Sequence, residues 1–330
     1  MKITALSLVN SIHQKREKRI YSSTIADIKI KAPLFILGHW RSGTTLLHNL
    51  LARDKNFTYP TLFQVSNPHT FLYRERVISE RLENAKLVKR PMDNVKVTPY
   101  SPGEDEFALS VLSLCSPVMG WSFPRQEEHY DRYLTFQEVP KDDILCWKEA
   151  FIFFLKKLTW RQDRPILLKS PAHTARVNLL LELFPDARFI HVHRNPYTVF
   201  QSTRWLYRKG VPLSHLQRPD KKRFEEGILR RYNEMYAAFF KNRELIPKRQ
   251  FYEVGFEQLE KNMLDQVAKM YEHLGIPGFR DAEPALQSYA ESVANYKKNV
   301  YPPLDEPIRR KIIDAWQKSF EEWGYPILAK

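Results

Sequence analysis

Eight consecutive residues, Gly38-His39-Trp40-Arg41-Ser42-Gly43-Thr44-Thr45, carry the chemistry most readily read from this chain. They lie between the apolar runs Phe35-Ile36-Leu37 and Leu46-Leu47, which places them on a loop joining a buried strand to a helix. Gly38 and Gly43 have the spacing of a P-loop, whose backbone N–H groups and following helix N-terminus cradle oxyanions. Thr44 stands where a nucleoside triphosphatase carries lysine, which counts against a simple ATP or GTP hydrolase. Arg41 supplies positive charge instead, and Ser42, Thr44 and Thr45 add hydroxyl donors. The chemistry indicated is the gripping of a phosphorylated ligand.

The run Arg41-Ser42-Gly43-Thr44-Thr45 resembles the 5′-phosphosulfate loop of sulfotransferases that use 3′-phosphoadenosine 5′-phosphosulfate (PAPS). Members of that superfamily hold the donor's 3′-phosphate with an arginine that ends a strand and a serine eight positions later on the next helix. Arg194, which follows Phe189-Ile190-His191-Val192-His193, and Ser202 match that pair. Leu167-Leu168-Lys169 resembles the strand whose lysine the family aims at the phosphosulfate bridge. Loop, lysine, arginine and serine run in the family's order, each at the carboxyl end of a predicted strand, the edge at which open α/β sheets bind ligands. The chain is identified as a member of the PAPS-dependent sulfotransferase superfamily, in the branch with R-S-G-T-T rather than K-S-G-T-T, with a resemblance running from residue 33 to residue 325.

Two further segments extend the resemblance. Tyr252-Glu253-Val254, followed by Phe256-Glu257-Gln258-Leu259, resembles the family's Y-E-D/E-L element with Phe256 in place of the tyrosine, which implies a ring packed by the adenine without a hydroxyl contact. Tyr296-Lys297-Lys298-Asn299-Val300-Tyr301 resembles the late basic loop that closes over the donor's 3′-phosphate end. Lys297, Lys298 and Asn299 are the donors that this implies.

The elements that must position these groups are legible in outline. Strands are expected at 35–37, 166–169, 189–193 and 250–254, and the 25 residues from Lys169 to Arg194 leave room for a helix over 173–184, stopped by Pro185. Pro196 opens the helix that carries Ser202. The fold class is α/β: a P-loop-like parallel sheet flanked by helices, as one domain over 1–330. Residues 1–30 form an N-terminal helical extension. A mostly helical insertion over about 60–160, with helices at 71–89, 104–114 and 144–160, breaks the βαβ rhythm, and Trp121, Phe123, Tyr130, Tyr133 and Phe136 crowd its irregular part. In the superfamily such insertions build the acceptor pocket. Later helices are expected over 224–245 and 308–323.

Composition narrows the partners. A formal charge of +14, from 52 basic and 38 acidic side chains, favours an anionic ligand, and a donor with several negative charges is sufficient without invoking nucleic acid. The basic residues Arg204, Arg208, Lys209, Arg218, Lys221, Lys222 and Arg223 can line the donor entrance or form a solvated face. Cys115 and Cys146 are the only cysteines, so there is no disulfide framework and no Cys/His spacing for zinc; no metal is expected. That fits a reducing, cytoplasmic setting. The apolar run at 3–9 is followed by Lys15, Arg16, Lys18 and Arg19 rather than a cleavage site, and no stretch is long enough to span a membrane. Leu6, Val9 and Ile12 recur at helical spacing, as in a helix packed on the domain or one lying on a membrane surface.

The expected reaction is in-line transfer of a sulfuryl group from PAPS to an acceptor hydroxyl or amine, with Arg41 and Lys169 stabilising charge on the transferring and leaving groups. A general base must take the acceptor's proton. Glu104, in Glu104-Asp105-Glu106 at a helix start, leads the candidates; Asp105 follows, and so does His173, displaced from the family's K-T-H histidine. The glutamate that the tyrosylprotein branch carries soon after the P-loop helix is absent, Thr61-Leu62-Phe63-Gln64 occupying that area. The acceptor is expected to be a partly apolar alcohol, a lipid or a glycan. A P-loop kinase and a non-catalytic polyanion-binding protein are the alternatives. Oligomeric state is not legible.

Overall fold

The sheet is built from four short apolar segments in a computed structural model that describes residues 2–220 and 224–327, with side chains from residue 7 onward. The strands are Leu34–Leu37, Leu167–Lys169, Arg188–His193 and Phe251–Gly255, first to fourth in the chain. In space they run second, first, third, fourth, and every pairing is parallel. The first two are buried along their whole length, as strands covered by helices on both faces must be. The register sets Ile36 beside Lys169 and Leu37 beside His191. Gly38, Ser170 and Arg194, the residues that leave the first three strands, therefore emerge side by side at the carboxyl edge. The α/β class expected from the sequence is the one that forms.

Helix Thr44–Leu51 follows the first strand, and helix Pro196–Lys209 follows the third. The second of these is capped by Asn195, whose side-chain oxygen accepts from the N–H groups of Tyr197 and Thr198, with Pro196 pre-set for the first turn. The helix expected over 173–184 is shorter than the apolar pattern suggests. A 3₁₀ turn, Pro171–Ala175, precedes helix Val177–Leu183. Arg176 marks the break: its buried guanidinium donates to Glu106 and to the Tyr133 carbonyl, while its backbone is non-helical at φ −116° and ψ 21°.

In the insertion, the helix expected over 71–89 divides into Phe71–Val77 and Ser79–Glu83, and a two-stranded ribbon of Val88–Lys89 with Lys96–Val97 follows. The β-branched Val77 and Ile78 weaken the helix where it breaks, and the Arg90 N–H donates to the Val95 carbonyl at 3.0 Å to close the ribbon's turn. Helices Asp105–Leu112 and Lys141–Arg161 lie where the sequence places them. Tyr133 and Phe136 pack in the core with Trp147, whereas Trp121 stays half-buried near the loop.

The N-terminal helix, Lys2–Ala26, does pack on the rest of the chain, but not through the stripe read from the sequence. Val9 and Ile12 are 46% and 50% exposed. The docking face is Glu17, Tyr21 and Ile25, spaced four apart, and Glu17 pairs with the equally buried Lys157. Among the described residues no helix is long and apolar enough to cross a membrane.

Candidate active site

The loop begins with its backbone tied down. Gly38 donates its N–H to Thr174 Oγ1 at 2.7 Å, and His39 donates its own to the Tyr236 hydroxyl at 3.2 Å. Gly43 has φ 103°, and a Cβ there would lie 2.1 Å from Phe256 Cδ2, so both the backbone and the neighbouring ring require glycine. Arg41 takes φ 72° without being glycine, and left-handed residues of this kind turn successive N–H groups towards one side, the nest that binds anions. Ser42 is fully buried, yet its Oγ has no hydrogen-bond partner among the described residues. A buried hydroxyl left unpaired is costly unless a ligand satisfies it. His39 and His48, which flank the loop, are held neutral by burial, His39 pushed down to about 3.

Arg194 leaves the third strand with its guanidinium 4.1 Å from the Phe256 ring centroid and its NH1 donating to the Arg41 carbonyl at 3.2 Å. Its Nε is buried without a partner, and burial lowers its pKa. Ser202, eight residues on, accepts from Arg41 Nε at 2.9 Å and shares a 3.0 Å hydrogen bond with the Tyr301 hydroxyl. Asn299 donates to Tyr301 at 3.4 Å and to the Met92 carbonyl at 2.9 Å. The late loop thus reaches Ser202 through Tyr301 and Asn299. Lys298 instead pairs with Glu260 at 2.8 Å, and Lys297 contributes its carbonyl to Asn94. Phe256 packs on Gly43 and is 6% exposed, so it supports the loop from beneath.

Lys169 ends the second strand and pairs with Glu104, the residue that precedes helix Asp105–Leu112. Burial pushes the ammonium down from its usual range and the Glu104 carboxylate opposes that shift. The two following acids turn inward. Asp105 Oδ2 lies 2.5 Å from His173 Nε2, both side chains fully enclosed, and Glu106 is gripped by Arg176 at 2.7 and 3.1 Å. His173 therefore sits fully enclosed in the core beneath the loop, edge-on to Phe35, whereas the Lys169–Glu104 pair keeps some exposure, 18% at Glu104.

Beside Glu104 stands an aromatic wall that the sequence only hinted at. Phe107 lies three residues further along the same helix, 6.3 Å from Trp121, which is 6.2 Å from Trp40 of the loop. Trp121 Nε1 donates to the Tyr207 hydroxyl at 3.1 Å. Of the basic residues after Ser202, Arg204 pairs with Glu225 at 3.2 Å, and Lys221, Lys222 and Arg223 lie outside the described residues.

The profile of the sulfotransferase family matches residues 33–281, three quarters of the chain and all four strands. The chain belongs to the sulfotransferase family. Among its relatives is the omega-hydroxy-beta-dihydromenaquinone-9 sulfotransferase Stf3 of Mycobacterium bovis, 34% identical over 324 residues, 98% of this chain and 83% of the relative. Solved sulfotransferases share the fold: STF1 of Mycobacterium tuberculosis H37Rv, at a TM-score of 0.66 and 20% identity, covering 93% of this chain and 83% of its own, and STF9 of Mycobacterium avium, at 0.65 and 19%, covering 94% and 81%. This sulfotransferase is thus an enzyme with a P-loop-like sheet. Thr174 was not singled out in the sequence, Tyr301 stood there only as part of the late loop, and the packing of Trp121 on Trp40 was not foreseen. The signal for the wall was the aromatic density of the insertion.

Proposed function

We propose that this sulfotransferase draws on PAPS and transfers its sulfuryl group to the hydroxyl of a long, apolar, lipid-like acceptor. The observation that carries the reading is the Lys169–Glu104 pair standing one strand away from a loop with unmet hydrogen-bonding capacity. The donor fits the residues present. The loop N–H groups and Ser42 Oγ suit its 5′-phosphate; Arg194 Nε and Ser202, with Tyr301 and Asn299 behind them, suit its 3′-phosphate. When bound, PAPS supplies a sulfuryl group whose bond to the 5′-phosphate is ready to break.

Glu104, with a side chain 18% exposed, takes the acceptor hydroxyl's proton as the new oxygen–sulfur bond forms. The electron pair of the broken bond stays on the 5′-phosphate oxygen, where Lys169 and the loop amides stabilise it. Base and cation stand in contact, so a strand end and a helix start together serve the entering and the leaving oxygen. Phe107, Trp121 and Trp40 offer the acceptor an apolar approach to Glu104. The relative named for a hydroxylated menaquinone supports a lipid alcohol.

Calorimetry with 3′-phosphoadenosine 5′-phosphate, without magnesium and with ATP and AMP as controls, tests the donor. The bisphosphate alone should bind tightly, and Arg194→Ala should abolish that binding. Preference for magnesium-ATP would favour a kinase, and salt-sensitive binding of any polyanion a non-catalytic protein. Transfer of labelled sulfate from PAPS to long-chain isoprenoid alcohols, against short alcohols of equal headgroup, tests the acceptor.

A further inference from the structure

The ribbon of the insertion brings two residues to the donor loop that the family pattern did not suggest. Asp93 Oδ2 accepts from Arg41 NH1 at 2.9 Å; Arg90 Nε donates to Asp93 Oδ1 at 3.0 Å and its NH2 to Oδ2. The Val95 N–H, at 3.1 Å from Oδ1, adds a backbone donor. The Asp93 side chain is 5% exposed, so this is a buried carboxylate shared by two guanidinium groups from different parts of the chain. Burial pushes its carboxyl up, and the two arginines outweigh that and hold it below the usual carboxylate range.

The ribbon is also fastened to the late loop. The Asn94 N–H donates to the Tyr296 hydroxyl at 3.2 Å, Asn94 Nδ2 to the Lys297 carbonyl at 2.7 Å, and Asn299 Nδ2 to the Met92 carbonyl. Ribbon and late loop therefore form one cover, and Asp93 joins that cover to Arg41. Resting on the donor reading above, we propose that Arg90 and Asp93 complete the donor site, Arg90 as a further cation for the phosphosulfate end and Asp93 as the positioning residue that holds Arg90 and Arg41 in place for it.

The guanidinium geometry supports this division. A guanidinium offers five N–H donors in a fixed plane. Arg41 commits Nε to Ser202 and NH1 to Asp93, and Arg90 commits Nε and NH2 to Asp93, so each fork keeps one nitrogen without a hydrogen-bond partner among the described residues. Arg90 is 21% exposed at its side chain, and its charge lies close enough to Lys169 to help lower that ammonium's pKa. Joined to Arg41 of the loop through Asp93, Arg90 is placed for the sulfuryl oxygens, where charge builds up in the transition state.

Steady-state kinetics and calorimetry on the full chain separate this role from a structural tie. Arg90→Ala should raise the KM for PAPS and lower kcat, each by about tenfold, and weaken 3′-phosphoadenosine 5′-phosphate, which lacks the sulfuryl group, by less than about threefold. Arg90→Lys should recover part of kcat. Asp93→Asn, which keeps the shape and removes the charge, should weaken both ligands, because it loosens Arg41 as well. Kinetic constants for Arg90→Ala within twofold of the parent, with only the melting temperature altered, would show the cluster to be a structural tie and overturn the proposal. Failure of the parent protein to bind the bisphosphate at all would strike the donor reading itself, so the two failures are distinguishable.

Discussion

Lys169 Nζ donates to Glu104 Oε1, and this contact is the first of three in sequence: His173 meets Asp105, and Arg176 meets Glu106. Bases at 169, 173 and 176, on a strand end, the 3₁₀ turn after it and the residue that follows that turn, engage acids at 104, 105 and 106 one for one. Consecutive acids can diverge in this way because Glu104 is extended, at φ −79° and ψ 122°, while Asp105 and Glu106 lie in the first helical turn. Only the first pair keeps any exposure. The inner two pairs fix the turn that aims the outer one.

Glu104→Gln should therefore lower kcat by about a hundredfold or more, the usual range for loss of a general base. Affinity for 3′-phosphoadenosine 5′-phosphate should stay within about threefold of the parent, since the loop, Arg194 and Ser202 are untouched. A variant with normal turnover moves the base elsewhere. Lys169→Ala should lower kcat comparably, and single-turnover kinetics would place its loss in the transfer step.

The inner pair predicts a different phenotype. Arg176 is fully buried and grips Glu106 through two nitrogens, with Ser116 and Ser170 also donating to that carboxylate. Arg176→Met alone leaves a buried charge unpaired and should cost about 3–5 kcal/mol of stability. Urea denaturation followed by tryptophan fluorescence measures it. Adding Glu106→Gln should return much of that loss, and a double variant no more stable than the single one would contradict the pairing.

Much of this arrangement was legible in the sequence, because strand and loop signals are local. Phe35-Ile36-Leu37 before Gly38, and Pro196 after Arg194, mark their elements without reference to the rest of the chain. The partners were not legible. Nothing local says that Glu106 and Arg176 meet, since 70 residues separate them and the contact exists only once the insertion folds back on the second strand. The helix over 173–184 was overextended for the same reason: its apolar pattern is continuous, and a tertiary contact of Arg176 overrides it. On the N-terminal helix, the apolar Val9 and Ile12 are exposed, while the docking face includes the charged Glu17, whose buried partner Lys157 lies 140 residues away.

The aromatic wall makes a prediction about the acceptor. Trp121 touches Trp40 of the loop and Phe107 and hydrogen-bonds to Tyr207, and neither Trp121 nor Phe107 shares a hydrogen bond with Arg41, Arg194 or Ser202 among the described residues. Trp121→Ala should raise the acceptor KM by about tenfold for long apolar alcohols and by much less for short ones, with the KM for PAPS unchanged. Equal losses for long and short acceptors would mean that the wall supports the loop rather than the apolar chain.

Stability should fall on mild acidification, and two histidines give the sign. Burial lowers the pKa of His39 to about 3, and His193, stacked 4.9 Å from Trp323, is lowered by burial to about 4, against 6.5 for each when free. Below pH 6.5 the unfolded chain takes up protons that the folded one refuses, so unfolding becomes easier as pH drops towards 4. Each histidine contributes about 1.6 kcal/mol of loss between pH 6.5 and 5, the slope approaching 1.4 kcal/mol per unit only well below pH 6.5. Asp131 works the other way. Burial raises its carboxyl to about 6, so below that pH it is protonated in the fold before it is in the unfolded chain, which offsets part of the loss. The net expectation is a melting temperature that declines from pH 7 to pH 5, and a shallower decline in His193→Gln. An unchanged slope in the variant would show that His193 takes up its proton in the fold as readily as in the unfolded chain, and its stacking on Trp323 would then be that of an imidazolium.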